Sequence, residues 1–171
     1  IKFVQYAALV CRQRTNFLLK HESAIKNLYE SLAGQPTALS IEYSASAPLQ
    51  TYEQSLLDRL SKSREYETKT GFTSVGPQRE DFTIFLHNQP AVKVASRGEM
   101  RTIMLAFKLL ELDLQTSINN AKPLILLDDV FSELDASREK LLQETIRNHQ
   151  FIVTTTDSRR QADDCLIIYT K

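Results

Sequence analysis

The segment 122–135 constrains the fold of this chain more than any other part of the sequence. Four consecutive aliphatic residues, 124–127, lead directly into the adjacent carboxylates Asp128 and Asp129. An apolar run that does not alternate with polar residues predicts a strand covered on both faces, as in a parallel sheet. Ligands of open α/β sheets bind at the carboxyl edge of such strands. One carboxylate at that edge can hold Mg²⁺, and its neighbour can orient an attacking water.

The C-terminal part of the chain alternates between helical and strand patterns. The predicted elements are a helix at 97–115, a strand at 123–128, a helix at 136–148, a strand at 150–156, a short helix at 158–163 and a strand at 165–170. Strands that alternate with helices pair in parallel through crossover connections, so we expect an α/β layer here.

The N-terminal part begins with a long helical pattern, 1–33, which ends at Gly34 with Pro36 just beyond. Its apolar positions form a narrow seam with polar gaps at Thr15 and Glu22. The seam consists of Val4, Ala8, Cys11, Leu18, Ile25, Tyr29 and Leu32. It is typical either of an amphipathic helix on a core or of half an antiparallel helical arm, whose partner helix would precede Ile1. The narrowness of the seam and the length of the helix favour the arm.

Residues 38–44 alternate like a half-buried strand, and residues 50–68 predict a second helix. This helix carries both signs of charge, so Lys62, Arg64 and Lys69 indicate a solvated face or at most a weak basic patch. Gly71 and the Gly76-Pro77 step mark a change of domain. We therefore expect an arm lobe at 1–70 and a second lobe at 71–171. Residues 81–87 then alternate like a strand that turns at 88–90 towards 91–94.

Ser96-Arg97-Gly98-Glu99 opens the predicted helix at 97–115. Ser96 at the N-cap and Glu99 three residues later form a capping box. A capped helix N-terminus also presents free N–H groups to a phosphate, and Gly98 allows close approach to the backbone. The rest of the helix is apolar almost all round, so we expect it to be buried on most faces.

Composition excludes several classes of function. The formal net charge is zero, so no global field attracts nucleic acid or membrane, and contact with DNA needs a local patch. Cys11 and Cys165 are far apart and the three histidines are scattered, which predicts reduced thiols and no His/Cys metal site. No apolar run approaches the ~20 residues that span a bilayer. With no signal-peptide pattern either, a cytoplasmic protein is expected. The start at Ile1, within a helical pattern and without Met, suggests part of a longer chain.

Four segments, in this order and at these spacings, resemble the RecF family of bacterial DNA replication and repair proteins, which belong to the ATP-binding-cassette ATPases and are related to SMC ATPases. Gly76–Phe82 resembles the family's Gly-Pro-His-Arg-Asp-Asp element, with Gln78 in place of His. Ser96–Thr102 resembles its signature, Leu126–Arg138 its Walker B and D-loop, and Phe151–Asp157 its Thr-Thr-Thr-Asp strand end. The phosphate-binding Gly-x-x-x-x-Gly-Lys loop is absent from the 171 residues.

The resemblance implies an α/β fold, the C-terminal half of a cassette ATPase lobe joined to a helical arm lobe. It also implies a head-to-tail dimer around ATP and Mg²⁺, DNA binding at single-strand gaps, and RecO and RecR as partners. It assigns Asp128 to the Mg²⁺ site, Asp129 to the attacking water, and Ser96, Arg97 and Gly98 to the partner's γ-phosphate. The same resemblance places Asp135 in the D-loop at the dimer seam and Thr156 at the switch position.

Glu99 stands where the family has Gln, and a carboxylate facing a phosphate would repel it, so Glu99 is better suited to the capping box. Asp135 alone could also be a helix N-cap, and Ser132-x-x-Asp135 is a possible capping box. Two other interpretations stay open. The chain could be a non-catalytic module for dimerisation and for binding DNA or RecR, or part of another SMC-like ATPase.

Overall fold

The computed structural model of the protein describes residues 2–156, and all their side chains except those of Ser132 and Glu133. The predicted helix at 158–163, the predicted strand at 165–170 and Cys165 lie outside the described residues. The chain divides into two compact units between Phe107 and Lys108. Among the described residues, no helix is long and apolar enough to cross a membrane.

The first unit contains three long helical segments and an antiparallel sheet. In order, its elements are α1 (Lys2–Ala33), β1 (Leu39–Ser44), α2 (Tyr52–Thr70), β2 (Asp81–Leu86), β3 (Gln89–Pro90), α3 (Ala91–Val94) and the start of α4 (Arg97–Asn119). The strands are ordered β1-β2-β3, and β1 runs against β2 from Leu39↔Leu86 to Ser44↔Asp81. The helix predicted at 1–33 and the strands predicted at 38–44 and 81–87 are confirmed.

The seam of α1 is buried within this unit, against β1 and α2. Its two polar gaps are satisfied locally. The Thr15 hydroxyl donates to the Cys11 carbonyl at 2.9 Å, and Glu22 accepts the Ile41 backbone N–H at 2.9 Å. The seam therefore packs on a core, as in the first of the two alternatives, and needs no partner helix to bury it. A different stripe of α1 stays exposed, formed by Phe3, Tyr6, Val10 and Phe17.

Residues 91–94 do not form a strand. β3 is only two residues long and ends at Pro90, which has no N–H to continue the ladder. Ala91–Val94 instead forms one helical turn, closed by a hydrogen bond from Ala95 N to the Ala91 carbonyl at 2.8 Å. The turn expected at 88–90 is present, and it leads into this helical turn after the two residues of β3.

The division at 107/108 differs from the lobe boundary predicted at 70/71. The pairing of β1 with β2 crosses residue 70, so the elements on its two sides share one sheet. As a statement about the lobes of the family's architecture, the boundary at 70/71 stays a prediction.

The second unit contains the rest of α4, followed by β4 (Ile125–Asp128), α5 (Ala136–Ile146) and β5 (Phe151–Thr154). β4 and β5 pair in parallel, with Asp128 opposite Thr154, which confirms the predicted crossover. Burial alternates along both strands, and Leu126 and Ile152 are 70% and 56% exposed. The prediction of strands covered on both faces was wrong for the described part of the chain, where the layer has two strands and one covered face.

α4 also carries an exposed face. Thr102, Ile103 and Ala106 are fully buried, whereas Met104 is 55% and Ile118 74% exposed. The helix is thus amphipathic within the described residues, and the expectation of burial on most faces was wrong. The neighbouring elements in the described part of the chain cover only some of the apolar side chains of α4.

Candidate functional site

Asp128 lies at the carboxyl edge of the parallel pair, at the last paired position of β4. The hydroxyl of Thr154, directly opposite on β5, donates to Asp128 Oδ1 at 2.5 Å. Asp128 is exposed, and Thr154 contacts only its Oδ1. Mg²⁺ in nucleotide sites is usually held by one or two carboxylates together with phosphates and waters. One oriented carboxylate at a strand edge fits that requirement.

Asp129 follows in the left-handed backbone conformation, with φ of +48° and ψ of 24°. Aspartate tolerates this region better than most residues, and conformations of this kind concentrate at functional sites. Its backbone N–H is directed at Thr154, with the carbonyl oxygen at 3.2 Å and Oγ1 at 3.0 Å. Thr154 therefore holds both members of the Asp128-Asp129 pair, one through its carboxylate and one through its amide.

Asp135 caps α5. Its Oδ1 accepts the backbone N–H of Arg138 at 2.9 Å and the hydroxyl of Ser137 at 2.7 Å, and its Oδ2 pairs with the Arg138 guanidinium. The hydrogen bond from the Arg138 backbone and that from Ser137 hold the pKa of Asp135 below its usual value. The N-cap alternative for Asp135 is confirmed, and its assignment to a dimer seam stays a prediction.

The N-terminus of α4 forms the predicted capping box in both directions. Ser96 Oγ accepts the Glu99 N–H at 3.2 Å, and Glu99 Oε2 accepts the Ser96 N–H at 2.8 Å. The carboxylate of Glu99 is thus turned back onto the chain that enters the helix. The backbone N–H groups of Arg97 and Gly98 also belong to this first turn, and neither residue takes part in the capping box.

Gly98 has no local structural reason to be glycine. A Cβ built on it meets nothing within 4 Å, and its φ is not in the left-handed region. Glycine near the start of a helix costs up to ~1 kcal/mol relative to alanine. A surface where backbone is left bare, at a helix N-terminus and without a packing requirement, suits close approach by a group from outside the chain.

The predicted site residues thus fall into two sets. Ser96, Arg97 and Gly98 lie in the first unit, and Asp128 and Asp129 lie together in the second, with Asp135 and Thr156. Thr156 is exposed, two residues beyond the end of β5. Sequence reasoning missed Thr154. The predicted parallel pairing of the two strands would have placed it opposite Asp128, had the strand ends been aligned.

Sequence reasoning also missed the role of Glu80 in the Gly76–Phe82 element. The Glu80 carboxylate accepts hydrogen bonds from the hydroxyls of Tyr43 (2.7 Å), Tyr52 (2.8 Å) and Ser46 (2.5 Å), and from the Ser46 backbone N–H (2.8 Å). Arg14 adds a tie from α1, donating to the Pro77 carbonyl at 2.6 Å. The element is therefore fixed to α1, β1 and the start of α2 by polar contacts.

These contacts set the ionisation of the groups involved. Burial opposes the charge on Glu80, but the hydrogen bonds from Ser46, Tyr43 and Tyr52 outweigh it, and the pKa of Glu80 lies below its usual value. Burial, and then the Glu80 carboxylate, raise the pKa of Tyr52 and of the Cys11 thiol. Gln78, which stands where the family has His, donates from Nε2 to the Val75 carbonyl at 2.9 Å and so closes the same turn.

Several known proteins similar to this chain carry the same description, DNA replication and repair protein RecF. The chain is 36% identical over 160 residues to the DNA replication and repair protein RecF of Streptococcus gordonii, covering 91% of this chain and 44% of that protein. It is 34% identical to the RecF of Caldanaerobacter subterraneus subsp. tengcongensis over 175 residues, 98% of this chain and 48% of that protein. The chain thus spans about half the length of these relatives. No protein-family model matches it.

A solved structure of the recombination mediator protein RecF with ATP, described as part of the RecFOR pathway, superposes with a TM-score of 0.77. The two sequences are 32% identical, and the superposition covers 95% of this chain and 45% of the RecF chain. A second RecF structure, with an ATP analogue, gives the same TM-score over 97% of this chain. The α/β fold class predicted from the sequence, that of the C-terminal half of a cassette-type ATPase, is confirmed.

Proposed function

Because the chain belongs to the RecF family of DNA replication and repair proteins, we propose that it carries the water-orienting and signature elements of an ATP-gated, DNA-binding dimer. The observation that carries the proposal is the arrangement at the sheet edge, where Thr154 binds the Asp128 carboxylate and the Asp129 amide together.

In this proposal Asp128 holds Mg²⁺ through the oxygen that Thr154 leaves available. When bound, the ion neutralises charge on the ATP phosphates. Asp129, fixed at its backbone, positions its carboxylate to orient the attacking water. Thr156 lies where it can respond to the nucleotide. Asp129 is one methylene shorter than a Glu in this role, which fits the slow turnover of a switch.

The proposed dimer completes each site from the other subunit. Ser96, Arg97 and Gly98 present the N-terminus of α4 to the partner's γ-phosphate, and the bare surface at Gly98 supports such an approach. Glu99 accepts the Ser96 N–H in the capping box, so in this proposal Glu99 is not itself a ligand of that phosphate. Asp135 lies near the seam between the subunits. Nucleotide state thereby controls whether two copies associate.

The proposed setting is the one that the resemblance implies: single-strand gaps in DNA, with RecO and RecR as partners, in the bacterial cytoplasm. The decisive experiment measures the mass of the full-length protein by analytical ultracentrifugation with Mg²⁺ and ATP, Mg²⁺ and ADP, and no nucleotide. DNA binding is followed in parallel. We expect dimers and tighter DNA binding with ATP only. Equal association in all three conditions would leave a constitutive binding module as the better description.

A further inference from the structure

The α2 helix carries a stripe that the proposed ATP site does not use. Arg59, Lys62, Tyr66 and Lys69 follow one another at spacings of three, four and three residues, so they lie along one side of the helix. Phe72 follows the end of α2, beyond the left-handed turn at Gly71. Together with Arg79, these residues define the aromatic–basic face.

The aromatic side chains of this face form a pair. The Tyr66 and Phe72 rings lie edge to face, with centroids 6.3 Å apart and planes at 90°. The guanidinium carbon of Arg79 lies 5.1 Å from the centroid of the Phe72 ring. Tyr66 is 57% exposed and Phe72 is 47% exposed, so this aromatic pair lies on the surface. Neither ring contributes to the buried core of the unit.

A shallow groove of about 430 Å³ lies beside Phe72. It is also bordered by Leu60, Thr68 and Arg64. The acidic residue in its wall is Glu67, whose carboxylate is occupied by the Ser74 N–H and hydroxyl, each at 2.7 Å, and by Ser63. The lining of the groove mixes apolar and polar residues, and Phe72 is the residue of the aromatic–basic face that borders it.

Three cations of the face, those of Lys62, Lys69 and Arg79, are available to a ligand, whereas Arg59 donates to the Ser46 carbonyl at 2.7 Å. Lys62 and Lys69 form no ion pair with any of residues 2–156. Arg79 has its stacking contact with Phe72 and remains exposed. Glu65 lies on a neighbouring side of α2, so the face is only moderately positive, and charge alone does not give it strong affinity for a duplex.

We infer that the aromatic–basic face binds single-stranded DNA, with an unpaired base stacked on the Tyr66 ring and the adjacent phosphates held by Lys62, Lys69 and Arg79. Ring faces exposed between cations are how proteins bind single strands without sequence preference, because every base has a face to stack. A duplex hides those faces, which is why the single strand is the fitting partner. This inference rests on the proposed function and adds the surface that recognises the unpaired strand.

The test uses full-length protein and a labelled oligothymidylate, an abasic oligonucleotide of the same length and a matching duplex, each followed by fluorescence anisotropy. Tyr66→Ala should weaken binding of oligothymidylate about 5- to 160-fold, the range expected for one lost base stack. It should leave the abasic strand and the duplex unchanged. Phe17→Ala, which removes an exposed ring from α1 of the same unit, is the matched control and should change none of the three.

Tyr66→Trp adds a second measurement. The 171 residues contain no Trp, so the indole emission is read against wild type, and it should be quenched by oligothymidylate but not by the abasic strand. Binding should stay near the wild-type value. Unchanged affinity in Tyr66→Ala together with an unquenched indole would overturn the inference.

The same measurements separate this inference from the proposed function. Tyr66→Ala should still dimerise with ATP and still bind duplex DNA. If wild-type protein binds none of the three oligonucleotides, the proposed function itself fails. If wild type binds all three and Tyr66→Ala behaves identically, only the aromatic–basic face is wrong.

Discussion

Thr154 donates its hydroxyl hydrogen to Asp128 Oδ1 at 2.5 Å across the last paired position of β4 and β5. The hydroxyl oxygen of Thr154, Oγ1, also accepts the backbone N–H of Asp129, with an N–O distance of 3.0 Å. One side chain thus sets the direction of the first carboxylate and fixes the backbone of the second. Because both aspartates are exposed, these contacts add little to stability, and their effect is on orientation.

Thr154→Val in the full-length protein should therefore reduce ATP hydrolysis more than it reduces stability. Residues that orient a metal ligand typically contribute about 10- to 100-fold to affinity or activity. We expect a loss of about 10-fold in hydrolysis with a higher Mg²⁺ requirement, and a change of under ~1 kcal/mol in unfolding free energy. Thr154→Ser, which keeps the hydroxyl, should restore most of the rate. A wild-type rate and Mg²⁺ requirement in Thr154→Val would show that the hydroxyl does not orient the aspartates for hydrolysis.

Asp129→Asn in the full-length protein should leave ATP binding intact and slow hydrolysis by about 10²-fold or more, the scale of a lost general base. Binding is measured with a fluorescent ATP analogue and hydrolysis by phosphate release. Asp113→Asn, at an exposed position on α4, is the control for removal of a surface charge. An unchanged rate in Asp129→Asn would leave Asp129 as a turn residue only.

The parts of this structure that the sequence predicts are those set by local pattern. The periodicity of α1, the left-handed stop at Gly34 and the parallel pairing after Asp128 follow from spacing and turn chemistry. The capping box at Ser96 follows from two residues three apart. The roles of the predicted ATP-site positions come from the resemblance to the RecF family, and they stay predictions.

Long-range polar contacts were not predictable in this way. Glu80 gathers donors from Tyr43, Ser46 and Tyr52, which are 28 to 37 positions away in the sequence. No periodicity connects them. The prediction that β4 is covered on both faces was wrong at Leu126 for a related reason. An apolar strand indicates a tendency to be buried, but its own sequence does not say which element covers it.

The 171-residue chain alone should not hydrolyse ATP above background. Phosphoryl transfer depends on positioning and charge neutralisation, and the phosphate-binding loop with its Lys is absent from these residues. The measurement is phosphate release by the purified chain with Mg²⁺ and ATP, against the Asp129→Asn version of the same chain. Turnover that depends on Mg²⁺ and disappears in that variant would contradict our assignment of the site.

Ser96→Arg in the full-length protein should abolish ATP-driven dimerisation while the monomer stays folded. The side chain would block the N-terminus of α4, where we place the partner's phosphate. Ser96→Ala is the matched control, because both variants lose the cap at about 1 kcal/mol, but only Arg is bulky. We expect similar melting temperatures for the two, with dimers by ultracentrifugation for Ala alone. If the Arg variant also dimerises with ATP, Ser96 serves only its helix.

Glu80→Gln should destabilise the fold by about 2 kcal/mol at neutral pH, the scale of hydrogen bonds to a charged group, because Gln supplies a neutral acceptor to three hydroxyls and an N–H. The pKa of Glu80 is lowered in the folded state from a usual value of 4.5. Its contribution is therefore complete above about that pH and is lost as the pH falls through the lower, folded value.

The measurement is urea unfolding of the full-length protein at several pH values between 7 and 3. The free energy of unfolding should fall less on acidification in Glu80→Gln than in wild type. Tyr52→Phe removes one donor and keeps the carboxylate, so it should lose about 1 kcal/mol and become acid-sensitive at a higher pH than wild type. Asp135 and Glu67 also have lowered pKa values and titrate in all three proteins, which makes them a common background. Parallel pH profiles for wild type and Glu80→Gln would show that the carboxylate charge at this position does not stabilise the fold.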